Sequence, residues 1–148
     1  MGMSSRERVL TALRCGEPDR VPYCEIGIDR VISHKLMGWP EPVRETSVEP
    51  KPYSAEEHKM IAAALKMDNI CYELWPPVYA HKVASGDGRL FYADGMIKSE
   101  ADLSLLQLPD PHDEKLYTDA REFVRQAEDY AACFVTRIGI LSAMMSMG

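Results

Sequence analysis

The sequence predicts an α/β chain with a mostly parallel sheet, and three observations lead to it. Segments of helical periodicity alternate with short apolar runs rich in β-branched and aromatic residues. Those runs are apolar at successive positions, as expected of strands covered on both faces by helices. One pair of β-prone runs, joined by Ser85-Gly86-Asp87-Gly88, breaks the alternation as an inserted β-hairpin.

The first helix is expected from about Ser5 to Arg14. Ser4 with Glu7 makes a capping box, Val9, Leu10 and Leu13 form an apolar stripe, and Gly16 is placed to close the helix in a left-handed turn. The turn GEPDRVP then feeds a buried strand from Val21 to Ile26. IDRVISHKL (28–36) is helical, and the proline-rich stretch after it makes a long irregular excursion. Ser54 with Glu57 opens a helix carrying Met60, Ile61, Ala64 and Leu65, and DNICYELW (68–75) is the second buried strand. After the hairpin (81–97), Ser99 caps a short helix through Leu106. A further helix presents Leu116, Ala120, Phe123, Val124 and Ala127 on one face, and YAACFVTRIGI (130–140) is the third strand.

Three parallel strands do not complete a domain. An open sheet this small leaves its edges unpaired, and a closed (β/α)8 barrel takes about 250 residues against the 148 here. Residues 1–148 are therefore expected to be the N-terminal portion of one larger domain. The apolar, Met-rich stretch 138–147 is expected to be buried in a homo-oligomer or against a companion chain.

Composition narrows the function classes. A net charge of −6 argues against a general nucleic-acid binder. No run approaches the roughly 18 apolar residues of a membrane span, and the N-terminus lacks a signal core, so a cytoplasmic protein is expected. Cys15, Cys24, Cys71 and Cys133 are widely spaced with no C-x-x-C pair, which reads as free, buried thiols. His34, His58, His81 and His112 have no partner at ligand spacing and read as solvated.

SSRERVLTALRCGEPDRVP (4–22) resembles the N-terminal signature of the uroporphyrinogen decarboxylase (URO-D) superfamily, which includes tetrapyrrole decarboxylases and corrinoid-linked cobalamin:thiol methyltransferases. GRLFYADGMIKSEADLSLLQLPDP and FVTRIGILSAMMSMG are similar to the family's hairpin, following helix and third-strand region. The resemblance implies a partial TIM-like (β/α)8 barrel, its first strands and helices with the inserted hairpin. The functional end is then the C-terminal end of the strands. That directs attention to Glu25, Asp29 and Arg30 after the first strand, Glu73 and Trp75 after the second, and Thr136, Arg137 and Ser142 after the third.

Of these, Glu73 and Arg137 are the expected catalytic residues, and Glu25, Asp29, Arg30, Trp75 and Ser142 the expected substrate contacts. A carboxylate in an apolar run must reach a cavity or meet a cation, so a Glu73–Arg137 ion pair is the structural alternative. Asp29 and Arg30 begin a helix, where an aspartate is favoured by the dipole, and a purely structural role is open for both. Trp75 suits a core or rim position equally well.

The family's decarboxylases carry an arginine-rich segment after the first strand and an aspartate after the second. Here CEIGIDR holds a single arginine, Arg30, and CYELWPP places Trp75 near the expected acid. A polycarboxylate needs several cations. The methyltransferase branch, in which a zinc-bound thiolate accepts a methyl group, fits better. Its His-x-Cys and later Cys ligands belong to the second half of the barrel, so no metal ligand is assigned here. Zinc and a corrinoid protein are expected only for a complete barrel. Two alternatives stand beside methyl transfer to a thiol: tetrapyrrole decarboxylation, and a non-catalytic fragment acting as an interaction module.

Overall fold

The computed structural model describes residues 2–42, 52–74, 77–86, 89–107, 110–136 and 140–148. Trp75, Arg137, Asp87, Gly88 and most of the proline-rich excursion, all singled out above, lie outside the described residues. The chain forms two compact units, one of residues 1–42, 52–73 and 114–135, the other of 43–51, 74–113 and 136–148.

In the first unit, α1 (Ser5–Leu13) begins as expected: the Ser4 hydroxyl accepts the Glu7 N–H, and the Glu7 carboxylate accepts the Ser4 N–H at 2.8 Å. Its end differs from expectation. Cys15, not Gly16, takes the left-handed conformation, with φ +59°. Gly16 is needed for a different reason: a Cβ there would stand 3.0 Å from Thr11 Cγ2 and 3.2 Å from Thr11 O.

The charged turn after α1 is built around one carboxylate. Asp68, 0% exposed, receives Arg8 Nη1 at 2.5 Å and Arg20 Nη1 at 2.8 Å. Arg8 also holds Asp19 through Nε at 2.5 Å and Nη2 at 3.0 Å. A buried anion is tolerated only when paired and hydrogen-bonded, and the Tyr23 N–H supplies a further donor at 2.8 Å. Burial pushes the Asp68 carboxyl up. The Tyr23 N–H, the Ser5 hydroxyl and the two guanidiniums outweigh that and hold it below the usual carboxylate range.

The expected first strand, Val21–Ile26, is not a ladder strand. It lies beside β1 (Asn69–Leu74) through bonds made largely by side chains. Asp68 N–H donates to Tyr23 O at 2.7 Å. The Asn69 amide does double duty on Glu25, accepting its N–H at 3.0 Å and donating to its carbonyl at 2.8 Å. Nor is the segment covered on both faces: Val21 is 84% and Ile26 69% exposed. Its contacts run along the edge of β1, not through side chains packed above and below.

α2 (Arg30–Met37) starts at Asp29, whose carboxylate accepts the Val31 N–H at 2.9 Å, and ends at Gly38 in the left-handed conformation. α3 (Ala55–Leu65) opens on the Ser54/Glu57 capping box. Its buried side packs on α4 (Thr118–Gln126) and on β1, in a core of Ala55, Ala62, Met67, Ile70, Phe123 and Ala127. Of the face expected on α4, Phe123 and Ala127 are buried, whereas Val124 is 52% exposed. β1 is hydrogen-bonded to its sheet neighbour β4 (Ala131–Thr136), its partner in a two-stranded sheet.

The second unit carries the expected hairpin. β2 (Ala80–Ala84) and β3 (Leu90–Gly95) pair antiparallel with Val83 opposite Phe91, and the register shifts between Ala80 and Lys82. The helix expected after Ser99 is a 3-10 helix, Glu100–Leu105. The run read as a strand to Ile140 ends at Thr136. A helix, α5 (Ile140–Met147), follows and packs on β3, where Gly95 leaves no room for a Cβ against the Ser146 and Gly148 backbone. Leu141 and Met144 on it are each 57% exposed.

The described residues thus form two two-stranded sheets and no closed barrel. Among them, no helix is long and apolar enough to cross a membrane.

Candidate functional site

Alternation along β1 sorts its side chains into two faces. Ile70 joins the core and the Tyr72 ring lies between Phe123 at 5.5 Å and Phe134 at 5.6 Å. Asn69, Cys71 and Glu73 therefore point the other way, toward the 21–27 segment. Glu73 sits at that end of the strand, its Oε1 close above Gly27: a Cβ on Gly27 would lie 3.6 Å from it. This brings one expected catalytic residue to the backbone just past Glu25.

The neighbouring elements supply a chain of rings. Tyr53, just before the α3 cap, is 5.7 Å from His58 edge-on, and His58 is 5.8 Å from Phe123. Arg30, the first residue of α2, lies over the Tyr53 ring with its guanidinium carbon 4.2 Å from the centroid. The Tyr53 hydroxyl meets the Ser33 hydroxyl at 2.5 Å, and Ser33 is 0% exposed. The ring is thus fixed from two sides.

An open cleft of about 370 Å³ lies against this cluster, with Tyr53, Tyr72, Glu73, Asp119, Glu122 and Phe123 among its lining residues. Among the described residues that line it there is no lysine, arginine or histidine. Glu122 is held by Arg125 and Gln126 on α4.

His58 corrects the expectation of a solvated imidazole. It is half-buried, and burial pushes its pKa down. The charges of Glu73 and Glu57 oppose that shift without reversing it, and Arg30 adds to it. Burial thus favours the uncharged form of the imidazole.

The remaining expected residues fall as follows. Asp29 is engaged in capping α2. Glu25 is exposed, and its backbone rather than its carboxylate makes the contacts to Asn69. Ser142 is on α5 of the second unit, where its carbonyl accepts the Ser146 hydroxyl at 2.8 Å, and Thr136 belongs to the same unit. Glu25, Asp29, Arg30 and Glu73 share the first unit.

Tyr53 and His58 were not anticipated from the sequence. The available signal was spacing: His58 stands three residues from both Ala55 and Ile61, on the buried stripe of α3.

The thiols also differ from expectation. Cys71 is buried and Cys133 half-buried, but Cys15 and Cys24 are exposed. Among the described residues no three His, Cys, Asp or Glu side chains are placed to hold a metal ion, so these residues do not by themselves make a zinc site. No protein-family model, curated protein or solved structure matches the chain.

Proposed function

We propose that this chain is part of a URO-D-like barrel that serves methyl transfer from a corrinoid to a thiol, active once a companion chain or a second copy completes the barrel. The supporting observation is the makeup of the cleft at the end of β1: the described residues that line it include Glu73, Asp119 and Glu122 and no lysine, arginine or histidine. Tetrapyrrole decarboxylation requires cations to hold a polycarboxylate, and these described lining residues supply none. A thiol that takes up a methyl group must instead release its proton. Glu73, with His58 nearby, offers acceptors for it. Arg30 acts here through Tyr53, as a positioning residue. The zinc ligands that the resemblance implies, a His-x-Cys and a later Cys, belong to the second half of the barrel.

The test combines native mass, metal analysis and two assays on the assembled protein: thiol methylation from methylcobalamin, and decarboxylation of uroporphyrinogen. The expected result is an assembly heavier than one 16.7 kDa chain that contains zinc and methylates a thiol, with Glu73→Gln lowering kcat about 100-fold. A compact, zinc-free monomer inactive in both assays overturns the reading in favour of an interaction module. Decarboxylation alone overturns it in favour of the tetrapyrrole branch.

A further inference from the structure

Two cysteines on neighbouring strands stand apart from the chemistry proposed above. β1 and β4 are hydrogen-bonded neighbours, and the Tyr72 and Phe134 rings stack on one face of the pair, 25° from parallel. Cys71 and Cys133 each adjoin one of these rings in sequence, so both lie on the opposite face. Cys133 acts electrostatically on the Cys71 thiol. Paired strands run about 4.8 Å apart, inside the Cα separation of about 4.4–6.8 Å that a disulfide spans.

Cys71 is also tied to the 21–27 segment. Its Sγ–H donates to Glu25 O at 3.4 Å, and the Asn69 amide donates to its sulfur at 3.2 Å. A disulfide has no S–H, so oxidation removes the first of these bonds.

We infer that Cys71 and Cys133 are an oxidisable pair that closes to an intramolecular disulfide under a hydroperoxide and thereby loosens the hold of β1 on Glu25. Cys133, the more accessible of the two, meets the oxidant first. Its sulfur is oxidised to the sulfenic acid as the peroxide O–O bond breaks and one water leaves. The Cys71 sulfur then displaces the hydroxyl as a second water, forming the S–S bond, so two thiols are oxidised and one hydrogen peroxide is reduced to two waters. Burial, then the Cys133 thiol and Glu73, push the Cys71 thiol up to about 12. Little of it is thiolate at neutral pH, and the second step is the slow one.

The experiment exposes the whole protein to hydrogen peroxide, alkylates it in denaturant and maps the tryptic peptides. Peptides 21–30, 67–82 and 126–137 carry Cys24, Cys71 and Cys133 separately. The expected product links 67–82 to 126–137, is reversed by dithiothreitol, persists in Cys24→Ser and is lost in Cys133→Ser. In the oxidised protein the Glu25 carbonyl loses the Cys71 S–H and keeps the Asn69 amide, and its 13C resonance shifts from that of the reduced protein. Cys71 left free while Cys133 proceeds to the sulfinic acid, or a link from Cys133 to Cys24, overturns the pair. A disulfide that leaves the Glu25 carbonyl resonance unchanged overturns the coupling to the 21–27 segment.

Discussion

Arg8 and Asp68 are 60 residues apart in sequence, yet Arg8 Nη1 meets Asp68 Oδ1 at 2.5 Å in the interior. The same guanidinium grips Asp19, so a single side chain of α1 fastens both the charged turn and the start of β1. Removing one partner of such a pair leaves the other charge buried and unpaired. Asp68→Ala is expected to cost about 3–5 kcal/mol in urea unfolding. Arg20→Ala, whose side chain is 45% exposed, is expected to cost less than about 1 kcal/mol. Equal losses for the two variants would contradict this division of labour.

Stability should fall in two stages on acidification. His58 has a folded pKa below its unfolded value, so its contribution is complete above about pH 6.5 and declines as pH drops below it. Asp19 is held at about 2 against an ordinary 3.8, chiefly by its hydrogen bond from Arg8. Its contribution is present above about pH 4 and is lost as pH falls toward 2. Asp68, also depressed, acts in the same sense. Denaturant midpoints measured from pH 8 to pH 3 should show both stages, and His58→Phe should abolish the upper one alone.

The end of α1 offers a paired substitution. Cys15→Gly relieves a non-glycine residue at φ +59° and should stabilise by roughly 0.5–1 kcal/mol. Gly16→Ala pushes a methyl against Thr11 and should destabilise by roughly 1–3 kcal/mol. Thermal melting of the two variants should move in opposite directions; a shared direction would refute the assignment of left-handed strain to Cys15.

Alkylation separates the thiols. Cys15 and Cys24 are exposed, whereas Cys71 is buried with its thiol pushed up to about 12. Iodoacetamide at pH 8 in native buffer should label Cys15 and Cys24 and spare Cys71 until denaturant is added. Early labelling of Cys71, read by peptide mass, would show that the face it shares with Cys133 is open.

Much of the local structure was legible because it rests on nearest neighbours. The Ser4/Glu7 and Ser54/Glu57 boxes each involve residues three apart, and the hairpin needs only two β-prone runs and a turn. What was missed depends on distant partners. Val21–Ile26 has a strand's composition, but its bonds to β1 come from the Asp68 and Asn69 side chains, which no local pattern announces. At the site, Glu73 was legible as a carboxylate in an apolar run. His58 was not, because its burial depends on Tyr53 and Phe123, the latter 65 positions away.

The way Asp68 and Asn69 hold the 21–27 segment has a consequence for solubility. An exposed strand edge accepts any passing chain, since backbone groups are the same in every protein. Here β1 lies between β4 and a segment that must offer the Tyr23 N–H and both backbone groups of Glu25 to two particular side chains. That edge is already filled, and an unrelated strand can pair with it only after displacing the 21–27 segment from Asp68 and Asn69.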